Sequence, residues 1–130
     1  MHKILIVDDE KEVVETMRNY LERQGYEIFC AYDGEEAKSQ VGPSNPDVIL
    51  LDLIMPKCNG FEVLKWIREN MQRRIPVVIL SVKDKLDDIR KGYDFDADFY
   101  LPKPFTNHEL LKGIKTVLSL NTFRKEQAHL

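Results

Sequence analysis

Short apolar runs alternate along this chain with segments whose apolar residues recur at helical spacing. Four consecutive apolar residues, Val48 to Leu51, end at Asp52 and are bounded by Pro46 and Gly60. A short unbroken apolar run of this kind is typical of a strand that is covered on both faces, as in a parallel sheet. We therefore predict a buried central strand here. Similar runs predict further strands over residues 3–7, 26–32, 75–81 and 98–101.

The segments between these runs predict helices. Apolar residues between Val13 and Leu21 fall on one face of a first helix, which Gly25 should end. The segment Asp33–Glu36 has an N-cap acid with a glutamate three residues later, which is typical of a helix start. The second helix should therefore be short, running to about Val41, with a loop over residues 42–46.

Three more helices complete the pattern. Asn59 can cap a third helix, and Thr106 with Glu109 forms a capping box for the last one. Between the fourth and fifth strands, residues 84–93 carry few apolar side chains and predict a weakly patterned fourth helix. Residues 121–130 are polar with scattered apolar positions, and either extend the last helix or fray.

The order of these elements predicts the fold. Strand and helix alternate five times, which favours an α/β fold: a doubly wound, five-stranded parallel sheet with five helices in three αβα layers. We assign residues 1–120 to one domain, and residues 121–130 to a C-terminal tail or the start of a linker. The switch-point rule brings the ends of the first and third strands together and so places Asp8, Asp9 and Asp52 around one crevice. The ends of the fourth and fifth strands add Ser81 and Lys103 beside it.

Composition narrows the class of protein. The chain has 130 residues and a net charge of −3, which suits one domain and gives no electrostatic signature of nucleic-acid binding. No apolar run approaches the roughly 20 residues of a membrane span, and we expect a cytoplasmic protein. Two cysteines provide neither a metal cluster nor a disulfide framework.

The predicted crevice has a distinctive chemistry. Three carboxylates in one place repel one another by about 1–4 kcal/mol per pair at ~4 Å, so they need a compensating cation. Hard oxygen ligands with open positions favour Mg²⁺. Lys103 adds an ammonium and Ser81 a hydroxyl. A metal, an ammonium, a hydroxyl and a carboxylate nucleophile are the parts needed to hold a phosphoryl group.

The motifs that carry these groups resemble those of a response-regulator receiver domain of two-component signalling, with a flavodoxin-like fold and the strand order 2-1-3-4-5. The resemblance rests on Asp8-Asp9 after the first strand, Asp52 in D-x-x-M-P-x-x-x-G, Ser81 after the fourth strand and Lys103-Pro104 after the fifth. It spans residue 3 to about residue 120. All four motifs occur in order, each at the end of a predicted strand.

The resemblance implies a role for each acidic residue. Asp52 would accept a phosphoryl group from a histidine kinase or a histidine phosphotransfer protein. Asp9 and Asp52, with the backbone carbonyl of Ile54, would ligate Mg²⁺, and Asp8 would act through a metal-bound water. The protein would catalyse its own phosphorylation and dephosphorylation without being a conventional enzyme.

The resemblance also implies how the signal leaves the site. Ser81 and Lys103 would grip phosphoryl oxygens, and Tyr100 matches the aromatic residue that turns inward when the hydroxyl moves toward the phosphate. The output surface would be the fourth helix, fifth strand and fifth helix, which would control a downstream protein or output domain. A phosphorylation-dependent homodimer is compatible with this. The Lys103–Pro104 peptide bond is cis in the family.

Two positions beside the site depart from the usual family pattern. Val82 stands where receivers commonly carry Ala or Gly, and should narrow access to the phosphate. The apolar Ile54 cannot orient a water molecule at one of the positions that tune the lifetime of the aspartyl phosphate.

Three other classes of protein are compatible with parts of the pattern. A haloacid-dehalogenase-type phosphatase would need D-x-D after the first strand, whereas this chain has adjacent Asp8 and Asp9. A flavodoxin-like cofactor carrier would need a Ser/Thr/Gly phosphate loop there. An interaction module that works without phosphorylation would have no need of the complete set of acids, hydroxyl and lysine.

Overall fold

A computed structural model describes residues 1–55, 59–82 and 97–128, with the side chains described as far as residue 122. The strands are β1 (Lys3–Val7), β2 (Glu27–Ala31), β3 (Val48–Asp52), β4 (Val77–Val82) and β5 (Phe99–Lys103). The helices in these ranges are α1 (Lys11–Arg23), α2 (Gly34–Ser44), α3 (Gly60–Asn70) and α4 (Asn107–Ala128). The fourth predicted helix, over residues 84–93, lies outside the described residues.

The strands form one parallel sheet in the order β2-β1-β3-β4-β5, which confirms the predicted topology. The strand order changes direction at β1, since β2 is added on one side of it and β3 on the other. In the register of the central strands, Val7 pairs with Leu51 and Asp52 pairs with Leu80. The carboxyl ends of β1, β3 and β4 therefore lie side by side at one edge of the sheet.

Two apolar layers cover the sheet. On one face, α2 and α3 pack against alternate strand residues such as Leu5, Ile49 and Ile79. On the other face, α1 and α4 pack against the intervening residues, including Ile6 and Leu50. Because both faces are covered, all five residues of β3 are buried, as its unbroken apolar run predicts.

The predicted helix ends are confirmed in most places. Gly25 adopts a φ of 95° just after α1, the left-handed conformation expected of a glycine at this position. Asp33 accepts a hydrogen bond from the Glu36 N–H at 2.8 Å. Thr106 and Glu109 bond reciprocally at 3.1 Å and so cap α4.

The prediction for the end of α2 was wrong. The helix does not stop near Val41 but continues to Ser44, with Pro43 inside its last turn. A proline removes one N–H from the helix. Here the end is held by Asn45, whose left-handed backbone brings its N–H to the carbonyl oxygens of Val41 and Gly42. The buried hydroxyl of Ser44 also donates to the Gln40 carbonyl at 2.7 Å.

The bounds of the last two strands differ slightly from the predicted ones. β4 begins at Val77, not at residue 75, and β5 runs on to Lys103. Residues 121–128 belong to α4, so the last helix extends without a break beyond the predicted end of the domain. Within the described ranges, no helix is both long and apolar enough to span a membrane.

Candidate functional site

Four strand ends bring the predicted site residues to one edge of the sheet. Asp8 follows β1, Asp52 ends β3, Ser81 lies near the end of β4, and Lys103 ends β5. Asp8 is fully buried, Asp52 is 4% exposed and Ser81 is 1% exposed. Asp52 is thus buried at the end of β3, because the central strand that carries it is covered on both faces.

The ammonium of Lys103 connects the acidic residues. Its Nζ donates to Asp8 Oδ2 at 2.8 Å and to Glu10 Oε1 at 3.4 Å. It also lies 3.6 Å from Asp52 Oδ2. The side chain of Lys103 is only 14% exposed, so the ammonium interacts with these carboxylates where water screens them poorly.

The environment of Asp52 changes its protonation. Burial raises the pKa of the Asp52 carboxyl to about 6, because desolvation disfavours the charged form. The Lys103 ammonium and the Ile54 N–H, which donates to Asp52 Oδ1 at 3.1 Å, lower this pKa. The negative charges of Asp8 and Asp9 act in the other direction and contribute to the raised pKa of Asp52. Asp52 is therefore mostly ionised at neutral pH and can act as a nucleophile.

The opposite balance holds for Lys103. Burial lowers the pKa of its ammonium, but the hydrogen bond from Lys103 to Asp8 and the charges of Asp52, Asp8 and Glu10 raise it, and the net pKa is raised. Lys103 therefore stays positively charged across the physiological range.

The acidic residues suit a divalent cation. Oxygen atoms of Asp8, Glu10 and Asp52 all lie within 4.8 Å of one another. Within the part of the chain that the structure describes, Lys103 is the one cation paired with these three carboxylates, so negative charge remains in excess there. Several carboxylate oxygens with access to solvent are the ligands that Mg²⁺ prefers, and the residues present fit this ion.

Asp9 does not belong to this group of three, although its charge is near enough to raise the pKa of Asp52. Its role as a direct ligand, like that of the Ile54 carbonyl, stays a prediction. The structure adds Glu10, which the sequence interpretation left out. The signal was present as a third consecutive acid after Asp8 and Asp9, but the motif on which the resemblance rests contains only Asp8 and Asp9.

Ser81 has an unusual hydroxyl. Its Oγ is buried, and no hydrogen-bond partner lies within reach among the described residues. A buried hydroxyl without a partner costs about 1–3 kcal/mol, so such groups are rare outside functional sites. Ser81 immediately follows Leu80, the residue that pairs with Asp52 across the sheet, and an oxygen of a bound ligand would satisfy it.

The remaining predicted residues lie around the site. Tyr100 is half-buried on β5, pairs with Ile79 in the sheet and packs against the apolar layer of α2 and α3. Val82 and Ile54 are exposed apolar side chains beside the strand ends, at 49% and 53% exposure. The Lys103–Pro104 bond is cis, as the resemblance implied.

The backbone of Gly60 lies close against the backbone at the end of β3. Its N–H donates to the Leu53 carbonyl at 2.9 Å. A Cβ at this position would lie 2.5 Å from the Leu53 Cα and 2.7 Å from the Asp52 carbonyl oxygen. Only glycine permits this approach of the two backbones, which explains the glycine that ends the Asp52 motif.

A further buried acidic side chain lies at the opposite end of the sheet. The side chain of Asp98 is 1% exposed and pairs with Arg74 at 3.0 Å and with Arg68 at 3.2 Å. It also accepts the Val77 N–H at 2.9 Å. The sequence interpretation did not find this cluster, because its members come from three separate parts of the chain and show no local pattern.

The fold and the site together define a doubly wound α/β domain with an acidic, lysine-containing site at the carboxyl ends of its strands. The sequence matches the response regulator receiver domain family over residues 4–115. The chain belongs to this family, whose members act in two-component signalling, and this confirms the predicted membership.

Solved structures of receiver domains match nearly the whole chain. The chemotaxis response regulator CheY4 of Vibrio cholerae is 33% identical, with a TM-score of 0.82 over 90% of this chain and 98% of that one. The receiver domain of a Francisella response regulator is 31% identical, with a TM-score of 0.82 over 93% and 99% of the two chains. The receiver domain of a histidine kinase from Syntrophus aciditrophicus is 29% identical, with a TM-score of 0.82 over 92% and 91%.

Proposed function

We propose that Asp52 accepts a phosphoryl group from a phosphohistidine on a histidine kinase or a histidine phosphotransfer protein. In this step a bond forms between an Asp52 carboxylate oxygen and phosphorus, and the bond from phosphorus to the imidazole nitrogen breaks. The phosphohistidine ring, protonated on its other nitrogen, leaves as neutral imidazole with the bonding electrons on the released nitrogen. Because Asp52 attacks as a carboxylate, no base on this chain is needed. The observation that carries the proposal is a buried carboxylate, mostly ionised at neutral pH, with an ammonium 3.6 Å away.

Two side chains of this site are suited to hold the transferred group. The Lys103 ammonium can donate to one phosphoryl oxygen, and its raised pKa keeps it charged for this purpose. The Ser81 hydroxyl, which has no hydrogen-bond partner among residues 1–55, 59–82 and 97–122, can donate to another. Both donors lie in buried surroundings, where a hydrogen bond to an anion is strong.

A Mg²⁺ ion would complete the site. Asp52 and Asp9 would hold it, as the family resemblance implies, with Asp8 acting through water and Glu10 nearby. When bound, the ion neutralises carboxylate charge and the charge of the phosphoryl oxygens. Asp9→Asn should therefore weaken Mg²⁺ binding, measured by titration of amide chemical shifts near Asp9 and Asp52. No saturable shift at millimolar Mg²⁺ would refute the metal site.

Phosphorylation would reach the output surface through β4 and β5. A phosphoryl group adds about −1.5 to −2 of charge and three acceptor oxygens, which would draw Ser81 toward it. Tyr100 lies on β5, next to β4 in the sheet, and could fill the space that Ser81 vacates. The family membership supports a downstream partner on the surface expected from the sequence. This surface comprises the predicted fourth helix, which lies outside the described residues, β5, and α4, which is the predicted fifth helix.

The experiment that tests the proposal is phosphorylation by acetyl phosphate in the presence of Mg²⁺, followed by intact-mass analysis. We expect one phosphoryl adduct on the wild-type protein and none on Asp52→Asn. Omitting Mg²⁺ should abolish the adduct. An adduct of equal yield on Asp52→Asn would contradict the assignment, and catalytic release of phosphate from a phosphomonoester would favour a phosphatase instead.

A further inference from the structure

Glu10 occupies the N-cap position of α1 but does not use its side chain as a cap. A polar N-cap side chain normally accepts a hydrogen bond from an N–H of the first turn. The Glu10 side chain makes no such bond. The N–H of Glu10 itself donates to Asp8 Oδ1 at 3.0 Å. The carboxylate is thus free to turn toward Lys103.

The Lys103 ammonium donates hydrogen bonds to Asp8 and Glu10 but not to Asp52. Its Nζ donates to Asp8 at 2.8 Å and to Glu10 at 3.4 Å, whereas the contact with Asp52, at 3.6 Å, is an ion pair without a hydrogen bond. The two flanking acids therefore hold the ammonium beside Asp52.

The three carboxylates around the ammonium differ in exposure. The side chain of Glu10 is 59% exposed, against 0% for Asp8 and 6% for Asp52. Water can replace an exposed ion-pair partner at little cost, whereas separating a buried pair is expensive. Of the two acids that hold Lys103, Glu10 is therefore the one that can release it.

We propose that Glu10 is a positioning residue that holds the Lys103 ammonium on the solvent side of Asp52 and competes for it with a phosphoryl group bound there. This inference rests on the proposed function. A phosphoryl oxygen bound to the ammonium would share it with the Glu10 carboxylate, and the two negatively charged groups would repel each other there. Glu10 thus lowers the affinity of the site for phosphoryl-sized anions, and its removal should raise that affinity.

The test measures binding of beryllofluoride, an anion of phosphoryl size, by ¹⁹F NMR at a Mg²⁺ concentration shown to saturate each variant. We expect Glu10→Gln to bind about two- to fivefold more tightly than the wild type, the range set by a partly exposed ion pair. Glu12→Gln is the matched control. Glu12 is an exposed acid at the start of the same helix but is not in the group around Lys103, and its removal should leave the affinity unchanged.

A double-mutant cycle tests the contact itself without any ligand. Urea unfolding of the wild type, Glu10→Gln, Lys103→Gln and the double variant in metal-free buffer should show a coupling of about two- to fivefold in the unfolding equilibrium constant. If the wild type binds beryllofluoride no more tightly than Asp52→Asn does, the proposed function is refuted. If the wild type binds but Glu10→Gln does not bind more tightly, or if the coupling is absent, Glu10 does not position Lys103 and the proposed function stands.

Discussion

Replacement of Asp52 by asparagine should stabilise the protein above pH 6 in the absence of divalent cations. The native pKa of Asp52, about 6, lies well above its ordinary value of 3.8. The amide is isosteric with the carboxyl group, carries no charge, and can still accept the Ile54 N–H that now bonds to Asp52 Oδ1. The substitution therefore removes the cost of a buried charge without a change in packing.

The sign and size of the effect follow from this pKa. Between pH 3.8 and about pH 6 the native state holds more protons than the unfolded state, so the free energy of unfolding falls as pH rises. The stabilising contribution of the protonated group is fully present below pH 3.8 and is lost as pH rises through about 6. Each unit between the two pKa values corresponds to about 1.4 kcal/mol, which gives about 3 kcal/mol in total.

Urea unfolding at a series of pH values in a chelating buffer measures this difference. The stability of Asp52→Asn should exceed that of the wild type by about 3 kcal/mol at pH 8 and equal it below pH 4. Glu69→Gln, which replaces an exposed acid on α3, should show no comparable difference. Millimolar Mg²⁺ should stabilise the wild type much more than Asp52→Asn. A variant that is equally stable or less stable at pH 8 would refute the buried-charge reasoning.

Three further predictions address other parts of the structure. Gly60→Ala should destabilise the protein by about 1–3 kcal/mol in urea unfolding, since the alanine Cβ would overlap backbone atoms of Asp52 and Leu53. The control Gly42→Ala has open space in α2 and should be neutral or slightly stabilising, so equal losses would refute the close-approach argument. Asp98→Ala should cost about 1–3 kcal/mol, because it removes the buried acceptor of the Val77 N–H and of two arginine side chains; no measurable loss would count against that role. Hydrogen exchange with a phosphoryl mimic should change protection over residues 84–93 in the wild type but not in Ser81→Ala, and an identical change in both would rule out the route through the hydroxyl.

The strands and most helix ends could be predicted from the sequence, because local patterns determine them. The unbroken run of β3, the capping box of α4 and the glycine after α1 each involve a few neighbouring residues. In a parallel sheet the carboxyl ends of the strands meet at one edge. The residues that follow those ends, such as Asp52 and Lys103, could therefore be assigned to one site without coordinates.

Contacts between distant segments could not be predicted in this way. The bond from Lys103 to Asp8 joins residues 95 positions apart, and the bond to Glu10 joins residues 93 apart. Which acid the ammonium prefers depends on differences of less than 1 Å between side chains on separate elements. The continuation of α2 past Pro43 was missed for a different, local reason: Asn45 ends the helix in a left-handed conformation that its residue type alone does not require.

The sequence by itself determined the four strand ends that carry the site, because apolar periodicity is a local property. Its motifs indicated the family and, through that resemblance, the sheet order. Only the tertiary structure decided the electrostatics of that site. Burial brought the pKa of Asp52 to about 6, left the Ser81 hydroxyl without a partner among the described residues, and turned Glu10 toward Lys103. Desolvation and ion pairing depend on every side chain around a group, and those neighbours are brought together only when the chain folds.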